Sequence, residues 1–444
     1  MNSIQELYNL FEKNEYGYST DTRNIIKGDL FFCLVGEKYD ANLFAEDALN
    51  KGAAVVVTNR EDLRGKTGYF YSDNPLITFQ EIAKWHASVM PAKIVIIGGS
   101  NGKTTTKELV YAVLNSQGAT HVTAGNYNNH VGVPITLLGI RPYHQYAVIE
   151  MGTNHPGEMK VLCSLVTPEI GVITNVGKEH LEGFGDIEAV AKEESEVFLR
   201  LIECAGTAVV NLDDPWINSM AKRIQIKYGV TLKHKDSNAS LNDFLKVHEA
   251  KIHAEMPSLI LEFNPSNDRS STVEFSIAGS YNAYNILFGL AIGQYFGISQ
   301  DDCLVAMQPY SPKNNRSEWR TIGETQIFLD AYNANPSSME AAIRSFHTLT
   351  GTKVYLLGDM LELGAHSESE HLQILALLQE LNISGCSFLV GEEFYKYCSH
   401  FPYRFTDTNS LLAWLDTHPI QANYVFIKGS RGIKMENVLE HFKP

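Results

Sequence analysis

The sequence predicts an α/β fold in three domains. The central one is a parallel sheet with a small antiparallel addition, flanked by an N-terminal and a C-terminal α/β domain. Three observations carry this. Apolar runs of strand length, each followed by a helix-compatible stretch, recur along most of the chain, the rhythm of sheets covered by helices. One such run, Ile94-Val95-Ile96-Ile97, opens into a glycine-rich turn and Lys103-Thr104. A polar, proline-containing stretch, PYSPKNN at 309–315, interrupts the rhythm and reads as a linker.

Residues 1–85 form the first α/β unit, with a helix over 4–11, a strand over 30–35, a helix over 43–49 and a strand over 53–57. Ser19, Thr20, Asp21, Arg23, Lys38 and Asp40 lie around its first strand. From spacing alone they are caps and turn residues. Residues 86–313 form the second unit. Strands at 94–97, 147–151, 171–176 and 207–214 alternate with helices. SLILEF and STVEFSI, within 228–277, alternate like antiparallel strands with one wet face. A helix follows from 283 to about 296. Residues 314–444 repeat the strand–helix rhythm through TQIFLDAY, KVYLLGDM, SFLVG and NYVFIKGS, with helices over 337–347 and 371–381 and a terminal helix. This unit is Rossmann-like, a second doubly wound sheet.

The bulk numbers narrow the function. With 444 residues, 44% of them hydrophobic and 20% charged, the chain has ample core for several globular domains. The net charge of −15 argues against a nucleic-acid partner held on a large basic face. The six cysteines form no CxxC pair and suggest neither zinc nor a disulfide framework. Free thiols, no signal peptide in MNSIQELYNLFEK and no apolar run of spanning length predict a cytoplasmic protein without membrane insertion. A monomer is the default expectation.

The chemistry starts at GGSNGKTT. A strand, a glycine loop, Lys-Thr and a helix make a phosphate cradle. Loop amides and the helix N-terminus face the anion, the lysine adds a mobile cation, and the threonine hydroxyl can hold Mg²⁺. The general pattern GxxxxGK[ST] would put its first glycine at Ile97, so this P-loop-type turn is one residue short. Glu150 and Asn175 end neighbouring strands, where ligands of parallel sheets collect. Mg²⁺ needs hard oxygen ligands, and Glu150 can supply one beside Thr104. His180, in a loop past Asn175 between Glu179 and Glu182, is a candidate for a metal or phosphate role.

These residues amount to a resemblance. GGSNGKTTT, GNYNNHVGVP, EMGTNHPGE and NVGKEHLEGFG resemble the central domain of the ATP-dependent Mur ligases, which build the peptide of bacterial cell-wall precursors. STDTR through ANLFAEDALNKGA resembles their uridine-nucleotide-binding domain. LDAYNANPSSM, LLGDMLELG and IKGSR resemble the C-terminal domain of the branch that adds D-alanyl-D-alanine. The resemblance also accounts for the short loop, a family trait.

The resemblance implies ATP and Mg²⁺ as cofactors, UDP-N-acetylmuramoyl-tripeptide and D-alanyl-D-alanine as substrates, and amide formation through an acyl phosphate. It implies that Gly99, Ser100, Asn101, Gly102, Lys103, Thr104 and Thr105 hold the ATP phosphates. Thr104 and Glu150 would hold one Mg²⁺ and His180 a second. Asn282 and Asn285 would meet the adenine, Arg316 the nucleotide and Asp330 the ribose. Ser19, Thr20, Arg23, Asn126, Asn129, Asn333, Asn335 and Arg431 would bind substrates, with Ser338 and Lys428 facing them. Four positions depart from the family pattern: Tyr281 stands for a usual His, Asn314-Asn315 for a usual Pro-Gly, and Glu194 for a Lys. That Lys, fourteen residues after His180, is usually carbamylated and supports the second Mg²⁺. Glu194 is expected to supply its carboxylate directly. Alternatives are a related ligase for another amino acid, or an ATP-binding regulator that has lost ligation.

Overall fold

The structure is a computed structural model and describes residues 3–36, 38–232, 243–264 and 270–442. Parts of the 228–277 region fall outside these residues. Among the described residues three large sheets and a two-stranded ribbon, Val35–Gly36 with Tyr39–Asp40, carry the chain. The first has four parallel strands, in the order Tyr18–Ser19, Leu30–Phe32, Val55–Thr58 and Tyr69–Tyr71. The second has nine, in the order Ser271–Phe275, Leu259–Phe263, Lys246–Ala254, Lys227–Thr231, Thr207–Asn211, Ile170–Ile173, Lys93–Gly98, Tyr146–Glu150 and Thr120–Val122. Lys246–Ala254 is the joint. It pairs parallel with Lys227–Thr231 and antiparallel with Leu259–Phe263, so the expected antiparallel addition sits at one edge. The third has six strands, parallel except at the edge, where Glu318–Ile322 and Thr325–Asp330 form a hairpin.

The central sheet is fixed by burial on both faces. Ile94, Val95, Ile96 and Ile97 are 5%, 0%, 0% and 0% exposed, and they point alternately into two apolar clusters. Burying each such side chain is worth roughly 1.5–3 kcal/mol, so this strand cannot be displaced without losing both layers. It lies between Ile170–Ile173 and Tyr146–Glu150, whose crossovers run to opposite sides. That is the switch point where a parallel sheet opens a crevice. The carboxyl ends of all three strands meet there.

The structure adds detail to the expectations at three places. The helix Pro75–Val89 runs across position 85, so the first and second units share a helix and one apolar cluster. Its start, Asn74 capping Leu76 and Ile77 with Pro75 in the first turn, is an ordinary helix signal. The strand expected over 171–176 ends at Ile173, because Thr174 and Asn175 leave the ladder to bind the phosphate loop. The terminal helix forms as two 3₁₀ segments, Arg431–Ile433 and Met435–His441. Lys434 between them has φ 59°, which ends any helix, and the buried Met435 and Val438 are spaced by the 3₁₀ repeat of three. Among the described residues no helix is long and apolar enough to cross a membrane.

Candidate functional site

The loop 98–104 is built by hydrogen bonds to the next strand end. Ser100 N donates to Asn175 O, and Asn101 N to Asn175 Oδ1, at 2.9 and 3.0 Å. Thr174 Oγ1 and Asn175 Nδ2 donate to Asn101 O at 2.7 and 2.8 Å. Two glycines are required. Gly99 has φ 111°, and a Cβ there would lie 2.6 Å from Thr174 N. Gly102 has φ 84°, and a Cβ there would lie 2.6 Å from Asn285 Oδ1. Gly102 caps the helix Lys103–Asn115 with no side-chain acceptor, so its first amides remain open to an anion.

Lys103 Nζ folds back on this loop, donating to Gly99 O and to Ser100 O, the latter at 3.2 Å. Glu179 Oε2 lies 3.6 Å away. Burial pushes the ammonium down, but the carboxylates of Glu179, Glu194 and Glu150 outweigh it and hold the pKa above its ordinary value. The cation is therefore kept charged beside the cradle.

Thr104 Oγ1 donates to Glu150 Oε1 at 3.2 Å, and Asn128 Nδ2 donates to the same oxygen at 2.8 Å. Glu150 Oε2 is buried with no hydrogen-bond partner, and the Lys107 ammonium stands 3.9 Å from it. Lys107 is fully buried, donating to Thr123 O and Gly125 O at 2.9 and 3.2 Å. Among the described residues no three His, Cys, Asp or Glu side chains gather as a protein-only metal site requires. Mg²⁺ takes fewer, one or two carboxylates plus phosphate and water oxygens, so a hydroxyl beside an orphaned carboxylate oxygen fits it.

Glu194, on the helix Ile187–Glu203, reaches under the loop and accepts from Gly99 N at 2.6 Å. Its Oε1 is buried and without a hydrogen-bond partner. Burial raises its carboxyl to about 8 against the opposing pull of Lys103. Lys192, two residues earlier, is exposed. Glu193 faces elsewhere, accepting from Gly157 N and Met159 N at 2.8 and 2.7 Å. His180 has φ 46° and its Nδ1 lies 2.6 Å from Glu362 Oε2, a residue of the C-terminal unit. The His180 hydrogen bond holds the Glu362 carboxyl below its usual range.

A cavity of about 850 Å³ opens above these groups, lined by residues of the second and third units. It collects Ser100–Thr105, Asn126, Asn129, Glu150, His180, Asn282, Asn285, Arg316, Asp330, Asn333 and Asn335 from the expected set. Asn282 is not a cap, since Ser280 holds that position. It donates to Ala278 O at 2.6 Å and accepts from Asn285 Nδ2 at 2.7 Å, while Asn285 Oδ1 accepts from Thr106 Oγ1 at 3.0 Å. The pair thus locks the helix Tyr281–Tyr295 to the loop helix. Tyr281 contacts Ser317 Oγ at 3.0 Å, and burial raises its hydroxyl pKa.

The Asn314-Asn315 departure is structural. Asn314, Asn315 and Ser317 have φ 60°, 61° and 47°, a left-handed turn that asparagine tolerates. It lays the Arg316 guanidinium over the Tyr332 ring at 3.4 Å from the centroid. Asp330 accepts from Ser317 N at 2.9 Å and pairs with the buried Lys428 at 2.5 Å. Asn335 caps the helix Pro336–His347, and its Nδ2 donates to Asn101 Oδ1 at 2.9 Å, joining the third unit to the loop.

Other expected residues stand apart. Asn129 lines the cavity but spends its Oδ1 on the backbone, accepting from Val131 N and Gly132 N at 3.1 and 2.9 Å. Ser19, Thr20 and Arg23 do not line it. Ser19 closes a turn on Asp21, and Arg23 forks onto Asp21 at 2.6–3.0 Å. Arg431 does not line it either, and stands 5.6 Å from the Tyr332 ring centroid.

Asn128, Lys107 and Glu362 join these groups without having been singled out in the sequence, whereas Glu179 stands there only as a flank of His180. Asn128 and Glu362 lay within quoted stretches, GNYNNHVGVP and LLGDMLELG. Lys107 gave no signal, because a lysine on an amphipathic helix reads as solvated.

The chain is similar to known proteins across these same elements. Residues 97–293 match the Mur ligase middle domain and 315–394 the Mur ligase, glutamate ligase domain. A UDP-N-acetylmuramoyl-tripeptide–D-alanyl-D-alanine ligase of Escherichia coli is 33% identical over 430 residues, covering 95% of this chain and 92% of that one. The Bacillus subtilis ligase of the same description is 31% identical, covering 96% and 92%. The crystal structure of MurF from Acinetobacter baumannii superposes with a TM-score of 0.85 at 26% identity, covering 98% of each chain. That of the Thermotoga maritima MurF ligase in complex with ADP gives 0.84 at 25%, covering 96% of each. The chain belongs to the Mur ligase family.

Proposed function

We propose that this chain is the ATP-dependent ligase that joins D-alanyl-D-alanine to UDP-N-acetylmuramoyl-tripeptide in peptidoglycan precursor synthesis. The observation that carries the reading is the loop's open helix N-terminus, with Lys103 on one side and Thr104 beside Glu150 on the other. ATP phosphates enter against the amides of 99–105. Lys103 swings from its own loop carbonyls to the β- and γ-phosphates. Thr104 and Glu150 would hold one Mg²⁺ and His180 and Glu194 would serve a second, and such ions would supply charge neutralisation between carboxylate and phosphate. The tripeptide carboxylate attacks the γ-phosphorus and gives an acyl phosphate and ADP. The D-alanyl-D-alanine amine then attacks that carbonyl, releasing phosphate and forming the amide. Positioning and electrostatics do the work, with no side-chain nucleophile required. Asn101 and Asn335, hydrogen-bonded across the cavity, bring the C-terminal unit to the reacting end.

The test is phosphate release from ATP. Release is expected only when the UDP-linked tripeptide and D-alanyl-D-alanine are both present. Hydrolysis without either substrate, or none with both, overturns the reading.

A further inference from the structure

We infer that Glu362 is a positioning residue for this reaction: the C-terminal domain uses it to fix the His180 ring, so the imidazole is set only when that domain is docked. The inference rests on the ligase reading for its reaction, but its geometry is independent of it.

Residues 361–364 clasp 180–182 at three levels. The His180 Nδ1 meets Glu362 Oε2 at 2.6 Å. Glu182 N donates to Glu362 O at 3.0 Å. Leu181, 5% exposed, packs in the same apolar cluster as Met360 and Leu363 of the C-terminal domain. Gly364 follows with φ 52°, and a Cβ there would lie 3.1 Å from Glu182 Cα, so the two backbones approach closely.

Both partners hold left-handed backbone, φ 46° at His180 and 64° at Glu362. Such residues are strained, persist where surroundings over-determine them, and cluster at functional sites. Stability does not explain the pair. The Glu362 side chain is 54% exposed, and exposed ion pairs contribute little. Orientation does. Engaging Nδ1 fixes the ring's rotation and leaves Nε2 as the nitrogen free to act, on a residue that lines the cavity, as outer partners do for functional imidazoles.

The test uses full-length protein. Glu362→Ala is expected to lower kcat about 10–100-fold, the usual cost of removing such a partner, with the KM values for ATP, tripeptide and D-alanyl-D-alanine within about threefold. Glu362→Gln, whose amide oxygen still accepts from Nδ1, is expected to recover most of that loss. In a His180→Ala background Glu362→Ala should cost nothing further, because coupled residues are not additive. Long-range ¹H–¹⁵N spectra of the complex with tripeptide and a non-hydrolysable ATP analogue should show His180 carrying its proton on Nδ1, and Glu362→Ala should lose this preference. Wild-type kcat in Glu362→Ala, its full effect persisting without His180, or an unchanged His180 spectrum would overturn the inference. A wild-type chain showing the Nδ1 proton yet no ligation would instead overturn the reaction.

Discussion

Glu194 Oε2 accepts the Gly99 amide hydrogen at 2.6 Å, beneath the loop that cradles the phosphates. Its Oε1 remains buried and unpartnered. A carbamylated lysine at this position would end in the same group, and Gly98 leaves the room, since a Cβ there would lie 2.8 Å from Glu194 Oε2. We propose that a cation arriving at Oε1 offsets the burial that raises this carboxyl, so that the ionised group serves both that cation and the loop amide. Glu194→Ala is expected to cut kcat at least about 100-fold, the upper end for such partners, and Glu194→Gln nearly as far, because it keeps the amide contact and loses the charge. Added bicarbonate should leave wild-type turnover unchanged. Near-normal ligation by Glu194→Ala, or stimulation by bicarbonate, would remove Glu194 from this role.

Lys178 ties the domains at the edge of the site. Its Nζ reaches Glu370 at 2.7 and 2.9 Å and Gln373 at 3.3 Å, and its backbone N–H donates to Ser337 Oγ at 3.1 Å. Glu370 is almost buried while Lys178 is about a third exposed, so the pair is worth about 1 kcal/mol, near the top of the range for such pairs. Lys178→Met should shift the docked population about fivefold toward undocked. Small-angle scattering of the ligand-free protein is expected to show a larger radius of gyration for the variant, and kcat/KM to fall by less than that factor, as the docked fraction does. Identical scattering curves would show that the docked state does not depend on Lys178.

Why the loop could be read from sequence and its supports could not is a matter of range. Gly99 and Gly102 are demanded by local φ, and the flanking strand and helix carry their own periodicity, so residues 94–115 needed no tertiary information. Glu194 could be found only through the family resemblance, which places a Lys at that distance from His180. Lys107 could not, because its burial is set by Thr123, Gly125 and Glu150, which meet it only in the folded sheet. Among Asn126, Asn128 and Asn129, the one that binds Glu150 is chosen by the path of the loop. Tyr18–Ser19 and Tyr69–Tyr71 are too short to show alternation, and they exist as strands because their neighbours pair with them.

His86 makes stability depend on pH far from the site. It is fully buried on the helix Pro75–Val89, among the rings of Tyr8, Phe11 and Tyr16. Its Nε2–H donates to Ile140 O at 2.8 Å, so Nδ1 accepts from the Tyr8 hydroxyl at 3.0 Å. The neutral ring satisfies both contacts and a charged ring would break one. Burial accordingly pushes His86 down from 6.5 to about 4. Between those values the unfolded chain binds a proton that the folded chain refuses, so stability falls as pH drops from 6.5 towards 4 and is unaffected above 6.5. From pH 7.5 to 5 His86 alone should remove about 2 kcal/mol, one proton over one and a half pH units. His121, lowered to about 4, and His248, lowered to about 3, both by burial, act in the same direction. Urea denaturation at the two pH values measures the slope. His86→Gln can accept from Tyr8 and donate to Ile140 without titrating, and it should flatten the slope by about that amount. A variant that loses as much stability in acid as the wild type would show that His86 is not the group taking up the proton.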